Sequence, residues 1–223
     1  MLELVKTADG SNTLFNSEVG ENYHSRNGAL QESKHVFLNS GLQHYLSAHE
    51  TEHISVLEVG FGTGLNFLIT TDFCTEKHLN LDYTGIEAYP LNTGLIEQTG
   101  YGEYVSPEIW KTFLKYYPET LIKKTSVNEY CKLLVAHCKL MDFKTDLQFD
   151  VLYFDAFASI HQPEMWTDES LSHVCQFLKP GGVFVTYAIT GNLKRSMKSL
   201  GFSIEKAPGA PGKREMLRAF KLY

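Results

Sequence analysis

The apolar positions of this chain fall into short runs separated by stretches of helical period. Ile54–Val59, Leu79–Glu87, Phe149–Asp155 and Val183–Ala188 are nearly continuous β-rich runs, the pattern of strands buried on both faces of a sheet. Between them, Leu65–Cys74, a stretch from Thr167 to about Phe177, and Gly191–Ser199 read as helices. So does a stretch opened by Ser106 and Pro107 that carries Trp110, Phe113 and Leu114. Ser106 and Thr167 are N-cap residue types, and Pro107 suits a first helical position. Tyr130–Ala136 is read as a strand, although a helix over Val127–His137 fits almost as well. Pro180-Gly181-Gly182 reads as the turn into the strand at Val183. This β-α-β-α-β succession specifies an α/β fold: a doubly wound, mostly parallel sheet with helices on both faces.

Both ends depart from that rhythm. Residues 2–6 and 13–15 flank Ala8-Asp-Gly-Ser11 as a small hairpin. A helix begins within 23–37 and runs to about His49, with Leu30, Phe37, Leu38, Leu42, Tyr45 and Leu46 on one face. Gly201–Ala207 and Arg214–Tyr223 alternate apolar and polar residues around Pro208-Gly-Ala-Pro-Gly212, which predicts a C-terminal antiparallel hairpin. The expected organisation is one domain over 1–223, with an N-terminal extension (1–50) and a core (51–223).

Composition narrows this only a little. A 223-residue chain that is 43% hydrophobic can bury one substantial core. No apolar run reaches bilayer length and no basic-then-apolar leader opens the chain, so no membrane association is expected. Cys74, Cys131, Cys138 and Cys175 lack Cys-x-x-Cys spacing and read as reduced thiols of a cytoplasmic protein. The nine histidines show no ligand spacing, and no metal is expected.

Charge adds more. The chain carries −6, yet from residue 190 onward eight basic residues face only Glu205 and Glu215. A cationic C-terminal part on an acidic body suits a polyanion, or equally a solvated helix face with a lysine-protected sheet edge.

The densest chemistry follows the first buried run, where Gly60, Gly62 and Gly64 alternate before a helix. Glycines there let a ligand approach the backbone, and a helix start offers unpaired N–H groups. The dinucleotide fingerprint would need glycine at position 65, which is Leu65, and no Gly-Lys-Ser/Thr follows for a phosphate loop. Glu58, two residues before the first glycine, suits a ligand with a cationic amino-acid end, such as S-adenosylmethionine. The bland reading is an ordinary glycine-rich turn. Glu87 ends the next strand, where a carboxylate can accept from both hydroxyls of a ribose; otherwise it is a helix-start acid before Pro90. Asp155 ends a later strand and should face the ligand crevice.

Four blocks, in order, carry a family resemblance. They are Tyr23-His-Ser-Arg-Asn-Gly-Ala-Leu-Gln-Glu-Ser-Lys-His-Val-Phe37, Glu58-Val-Gly-Phe-Gly-Thr-Gly-Leu-Asn66, Tyr153-Phe-Asp-Ala-Phe-Ala158 with Gln162-Pro-Glu-Met-Trp-Thr167, and Pro211-Gly-Lys-Arg-Glu-Met-Leu217. Together they resemble the methyltransferase half of the MnmC family in its stand-alone, MnmD-type form. The resemblance covers most of the chain and is weakest over 98–148. It implies a seven-stranded Rossmann-like sheet, S-adenosyl-L-methionine as cofactor, and methylation of the amine of 5-aminomethyl-(2-thio)uridine at the tRNA wobble position. The partner implied is a tRNA anticodon stem-loop, with a separate FAD-dependent oxidase or no protein partner.

By the same resemblance, Asp155 would hold and deprotonate the amine. Glu58, Gly60, Gly62, Gly64, Glu87, Glu32, Ser33 and Tyr23 would hold the cofactor, with Ser25 a weaker candidate. Phe157, Pro163 and Trp166 would wall the substrate pocket, and Lys213, Arg214 and Arg26 would meet phosphates or the anticodon. The chain departs from the family pattern at Ala156, Ser159 and His161, and has Cys138-Lys139 where the family carries Gly-Asp. Rival readings are methyl or aminopropyl transfer to a small amine, and a non-catalytic SAM- or RNA-binding module.

Overall fold

A computed structural model describes residues 1–223. Its main sheet is built from the predicted buried runs: β4 (His53–Val59), β5 (Asn80–Glu87), β7 (Cys131–His137), β8 (Phe149–Phe154), β9 (Leu178–Thr186), β10 (Phe202–Pro208) and β11 (Glu215–Lys221). A two-residue strand, β6 (Thr125–Ser126), lies on the outer edge of β7 and makes the sheet eight-stranded, in the order β10-β11-β9-β8-β4-β5-β7-β6. Pairings β4–β5, β4–β8, β5–β7 and β8–β9 are parallel, while β10–β11 and β11–β9 are antiparallel. The order reverses at β4, and there the ends of β4, β5 and β8 open a crevice.

Alternation along the strands feeds two cores. In β8, Val151 and Tyr153 join the core beneath α3 (Leu65–Glu76) and α5 (Pro107–Thr120). Leu152 and Phe154 join the opposite core, beneath α6 (Asp168–Cys175) and α7 (Gly191–Ser199). A short helix, α4 (Thr93–Gln98), precedes α5. The 130–136 ambiguity resolves as a strand because Cys131–His137 pairs residue for residue with Leu81–Glu87.

Two local expectations change. Ser106 occupies the N-cap of α5 without a capping bond from its hydroxyl; its backbone N–H instead donates to Asp72 Oδ1 (2.9 Å). Pro180-Gly181-Gly182 is not a turn before β9 but an irregularity inside it. Two residues of β8, Phe149 to Val151, are matched there by the five-residue advance from Leu178 to Val183, with Gly181 at φ 76°.

The N-terminal strands β1 (Leu2–Lys6), β2 (Asn12–Asn16) and β3 (Glu21–Asn22) form a small antiparallel sheet. The following helix is continuous but changes winding: α1 (Ala29–Glu32), a π-helical run Ser33–Gln43, then α2 (His44–Ala48). Gly41 makes its close docking possible, since a Cβ there would lie 2.9 Å from both the Tyr153 ring and Val185. The extension is thereby packed on the sheet beside the crevice. No helix is long and apolar enough to cross a membrane.

Candidate active site

The turn after β4 is fixed by backbone chemistry. Gly60, Gly62 and Gly64 all have left-handed φ (83°, 53° and 78°). At Gly60 a side chain would also collide with the Asp155 carbonyl oxygen. Asp155 N–H donates to Val59 O (2.9 Å), so the ends of β4 and β8 are locked together at the crevice floor. Glu87, at the end of β5, accepts from Gly62 N–H (2.8 Å) on one carboxylate oxygen and Tyr89 N–H (2.9 Å) on the other. Each oxygen keeps a free lone pair for a ligand hydroxyl.

Asn66, in the first turn of α3, joins two acids. Its side-chain Nδ2 donates to Glu58 Oε1 and to Asp155 Oδ2, both at 2.8 Å. Tyr83 OH donates to the other Glu58 oxygen (2.7 Å). Burial pushes the Glu58 carboxyl well above the usual carboxylate range, against the pull of its two hydrogen bonds. Asp155 is likewise held well above its ordinary value, by burial first and by the negative charge of Glu32 second. The Asn66 bond and the Lys213 charge oppose that rise. Asn66 Oδ1 and Ser33 Oγ are buried and have no protein partner.

Outward from this floor lies a cavity of about 310 Å³ whose walls include Glu21, Tyr23, Glu32, Phe157, Tyr187 and Lys213. Lys213 Nζ is 2.8 Å from Glu32 Oε1 and sits 3.8 Å over the Tyr187 ring. Tyr187 OH donates to Ala156 O (2.9 Å). Asp155 lies directly behind Ala156, within electrostatic reach of Glu32, Lys213 and Glu21. Tyr23 packs edge-on against Phe157 (5.2 Å), and its ring covers the glycine turn, 2.9 Å from where a Cβ of Gly62 would be. Burial and the nearby Glu87 charge push its phenol up to about 12. The tyrosine therefore stands between the turn with Glu87 and the cavity near Asp155.

Several expected residues are placed differently from their assigned roles. Glu58 shares a strand face with Ile54 and Val56, is fully buried under α3, and has both oxygens committed; it supports Asn66 from beneath rather than meeting a ligand. Pro163 is exposed, and Trp166 is half-buried against Phe154 with its Nε1 donating to Phe157 O (2.8 Å). Neither lines the cavity; Trp166 props the residue that does. Arg26 is exposed at the cavity rim, and Arg214 is exposed away from its lining. Glu32 does more than expected, pairing with Lys213 while accepting from Ser25 N–H (2.8 Å).

Sequence reasoning missed Glu21, Asn66 and Tyr187. Glu21 lines the cavity and accepts from Ala158 N–H (2.8 Å), across 137 residues of chain. Asn66 stood inside a quoted motif, and a polar residue one turn into an apolar helix was the available signal.

Residues 105–222, just over half of the chain, match the family described as S-adenosyl-L-methionine-dependent methyltransferase. The chain belongs to this family. As a member, it takes its methyl group from S-adenosyl-L-methionine. It is 28% identical over 216 residues to the tRNA 5-methylaminomethyl-2-thiouridine biosynthesis bifunctional protein MnmC of Magnetococcus marinus, covering 92% of this chain and 32% of that protein. The MnmC of Aromatoleum aromaticum is 28% identical over 229 residues, covering 96% and 34%. The chain thus spans about a third of the length of these curated relatives. Among solved structures, MNMC2 from Aquifex aeolicus superposes with a TM-score of 0.80 at 26% identity, over 99% of this chain and 70% of that one. The sugar N-methyltransferase KedS8 from Streptoalloteichus shares the fold, with a TM-score of 0.52 at 12% identity over 86% of this chain and 87% of that one.

The residues present fit the methyl donor. Glu87 offers free lone pairs at the strand end, and Asn66 Oδ1 is a buried acceptor without a donor.

Proposed function

We propose that this methyltransferase acts on the primary amine of 5-aminomethyl-(2-thio)uridine at the wobble position of tRNA, yielding the 5-methylaminomethyl product in the cytoplasm. The relatives named for that pathway support the reading, and so does the TM-score of 0.80 with MNMC2. The observation that carries it is the acid-lined cavity. Glu21 and Glu32 line the space, and Asp155, next in sequence to its lining residue Ala156, is a carboxyl of raised proton affinity within electrostatic reach of both, which suits a substrate that arrives as an ammonium ion.

When bound, the donor supplies a methyl group on a positively charged sulfur. The chain's own task is to present an uncharged nitrogen to it. Glu21 and Glu32 attract the ammonium, and the Tyr23, Phe157 and Tyr187 rings strip water from it, which favours loss of its proton. Asp155 accepts that proton, leaving on nitrogen a lone pair for the methyl group that the bound donor would supply. Asn66 fixes the Asp155 carboxylate through the reaction, and positioning of this kind dominates a displacement that needs no covalent help. Glu87, Glu32, Ser33, Asn66 and the glycine turn would hold the donor.

In this reading the amine is already free when it reaches the cavity, and a separate FAD-dependent oxidase, which the family resemblance implies, is one source of it. The test is mass spectrometry of hydrolysed tRNA after incubation with S-adenosyl-L-methionine. Hypomethylated tRNA bearing the free aminomethyl group should gain one methyl. No gain on tRNA together with a gain on free polyamines would overturn the reading in favour of a small-amine transferase.

A further inference from the structure

The cationic C-terminal part is sorted by the fold into two groups. Four of its eight basic residues have partners within the chain, Lys206 only loosely. Arg218 forks onto Glu205 (2.8 and 2.9 Å), and Lys221 donates to the carbonyls of Cys175 and Leu178. Lys213 pairs with Glu32, and Lys206 lies 3.9 Å from Glu215. Lys194, Arg195 and Lys198 take part in no ion pair. They project from consecutive turns of α7 and, with Lys206 from the edge strand β10, surround a concavity of about 390 Å³ floored by Ile204. Lys194 and Lys198 are four residues apart on one helix, so their charges repel, and nothing within the chain relieves this.

From this arrangement we infer that the α7–β10 concavity is a docking surface for the phosphate backbone of the RNA that flanks the reacting nucleotide. The inference rests on the tRNA reading above and extends it to a surface outside the crevice. Three observations carry it. A concave cluster of three cations without ion pairs, with the loosely paired Lys206 beside them, on a chain of net charge −6 attracts a polyanion locally while the acidic body repels it elsewhere. The cations come from two elements, so the concavity is built by the fold rather than by one charged helix face. It is also near the chemistry. Gly191, on its rim, follows Tyr187 of the amine cavity by four residues, which span at most about 14 Å. A nucleotide inserted at Asp155 and its neighbours on α7 are therefore within reach of each other.

The test uses the full chain and its triple variant Lys194→Ala, Arg195→Ala, Lys198→Ala. Labelled anticodon stem-loop is titrated by fluorescence anisotropy between about 50 and 200 mM salt. The variant should bind at least tenfold more weakly at low salt, and the slope of log Kd against log salt should shrink by about two, since each lost phosphate contact removes roughly 0.7 to 0.9. Its melting temperature, its Kd for S-adenosyl-L-methionine and its turnover of the free aminomethyl nucleoside should match wild type. Equal RNA affinity and equal salt slope in the two proteins would overturn the surface and leave the patch to an acidic protein or to solvent. The tRNA reading fails separately, if wild type methylates no tRNA, and the binding titration still decides the surface in that case.

Discussion

Asn66 Nδ2 lies 2.8 Å from Asp155 Oδ2, and this one hydrogen bond joins the helix after the glycine turn to the end of strand β8. The same nitrogen holds Glu58 from the other side. That bond fixes the Asp155 carboxylate in place, as the proposed role of a base beside an in-line displacement requires.

Replacing Asp155 with Asn should leave the Kd for S-adenosyl-L-methionine within threefold of wild type and reduce turnover on tRNA by roughly 10²- to 10⁴-fold. Calorimetry and single-turnover kinetics together check this. A variant that keeps its rate would remove Asp155 from the chemistry, and a wild type without turnover on any amine would favour a binding module.

The pH dependence has a definite sign. A carboxyl acts as a base only when ionised, and the proton affinity of Asp155 is raised, so in its proposed role activity should fall as pH drops through that raised value. Lys213 favours the ionised form. In Lys213→Met the acid limb of the kcat/KM profile should consequently move to higher pH. A limb that stays in place or moves down would show that the lysine does not act on Asp155.

Glu58 and Glu87 should separate cleanly. Glu58→Leu leaves Asn66 and Tyr83 short of acceptors and should cost about 2–6 kcal/mol in urea denaturation, at roughly 1–3 kcal/mol per buried unpaired group. Glu87→Gln should change stability little and weaken donor binding about tenfold, the loss of one hydrogen bond to a charged acceptor. Equal stability of the two variants would contradict the placement of Glu58 as an internal strut.

His24 gives a stability test. It is buried, faces the Thr13 hydroxyl through Nδ1 (3.0 Å), and burial lowers it from 6.5 to about 4. A lowered value means the folded state resists a proton that the unfolded chain accepts. Its contribution is therefore complete above pH 6.5 and is lost as pH falls towards 4, at about 1.4 kcal/mol per pH unit. His24→Asn should flatten that slope in urea melts at pH 7, 6 and 5. An unchanged slope would assign it to other groups.

The legible parts of the site were local ones. The glycine turn, Glu87 and Asp155 sit at strand ends, where a run of apolar residues and its terminator are contiguous in sequence. Strand alternation is legible too: the parity of Glu58 with Ile54 and Val56 aims it under α3, away from a ligand at the strand end. What sequence could not show is closure in space. Glu21 reaches Ala158, Glu32 meets Lys213, and Arg218 is taken up by Glu205 only after β10 and β11 pair. Trp166 had the right chemistry for a pocket wall, and only packing against Phe154 turned it into a prop. The bulge in β9 was hidden because Pro-Gly-Gly is equally good punctuation for a turn.

The contact between Glu21 and the Ala158 amide makes the small N-terminal sheet part of the reaction vessel rather than an ornament. The segment after β8 is moored at two adjacent residues, Phe157 by the Trp166 indole and Ala158 by the small sheet's last strand. If the proposed amine transfer holds, loosening the Glu21 mooring should widen the choice of amines accepted before it slows the transfer itself, placing selectivity at the end of the polypeptide opposite to the basic α7.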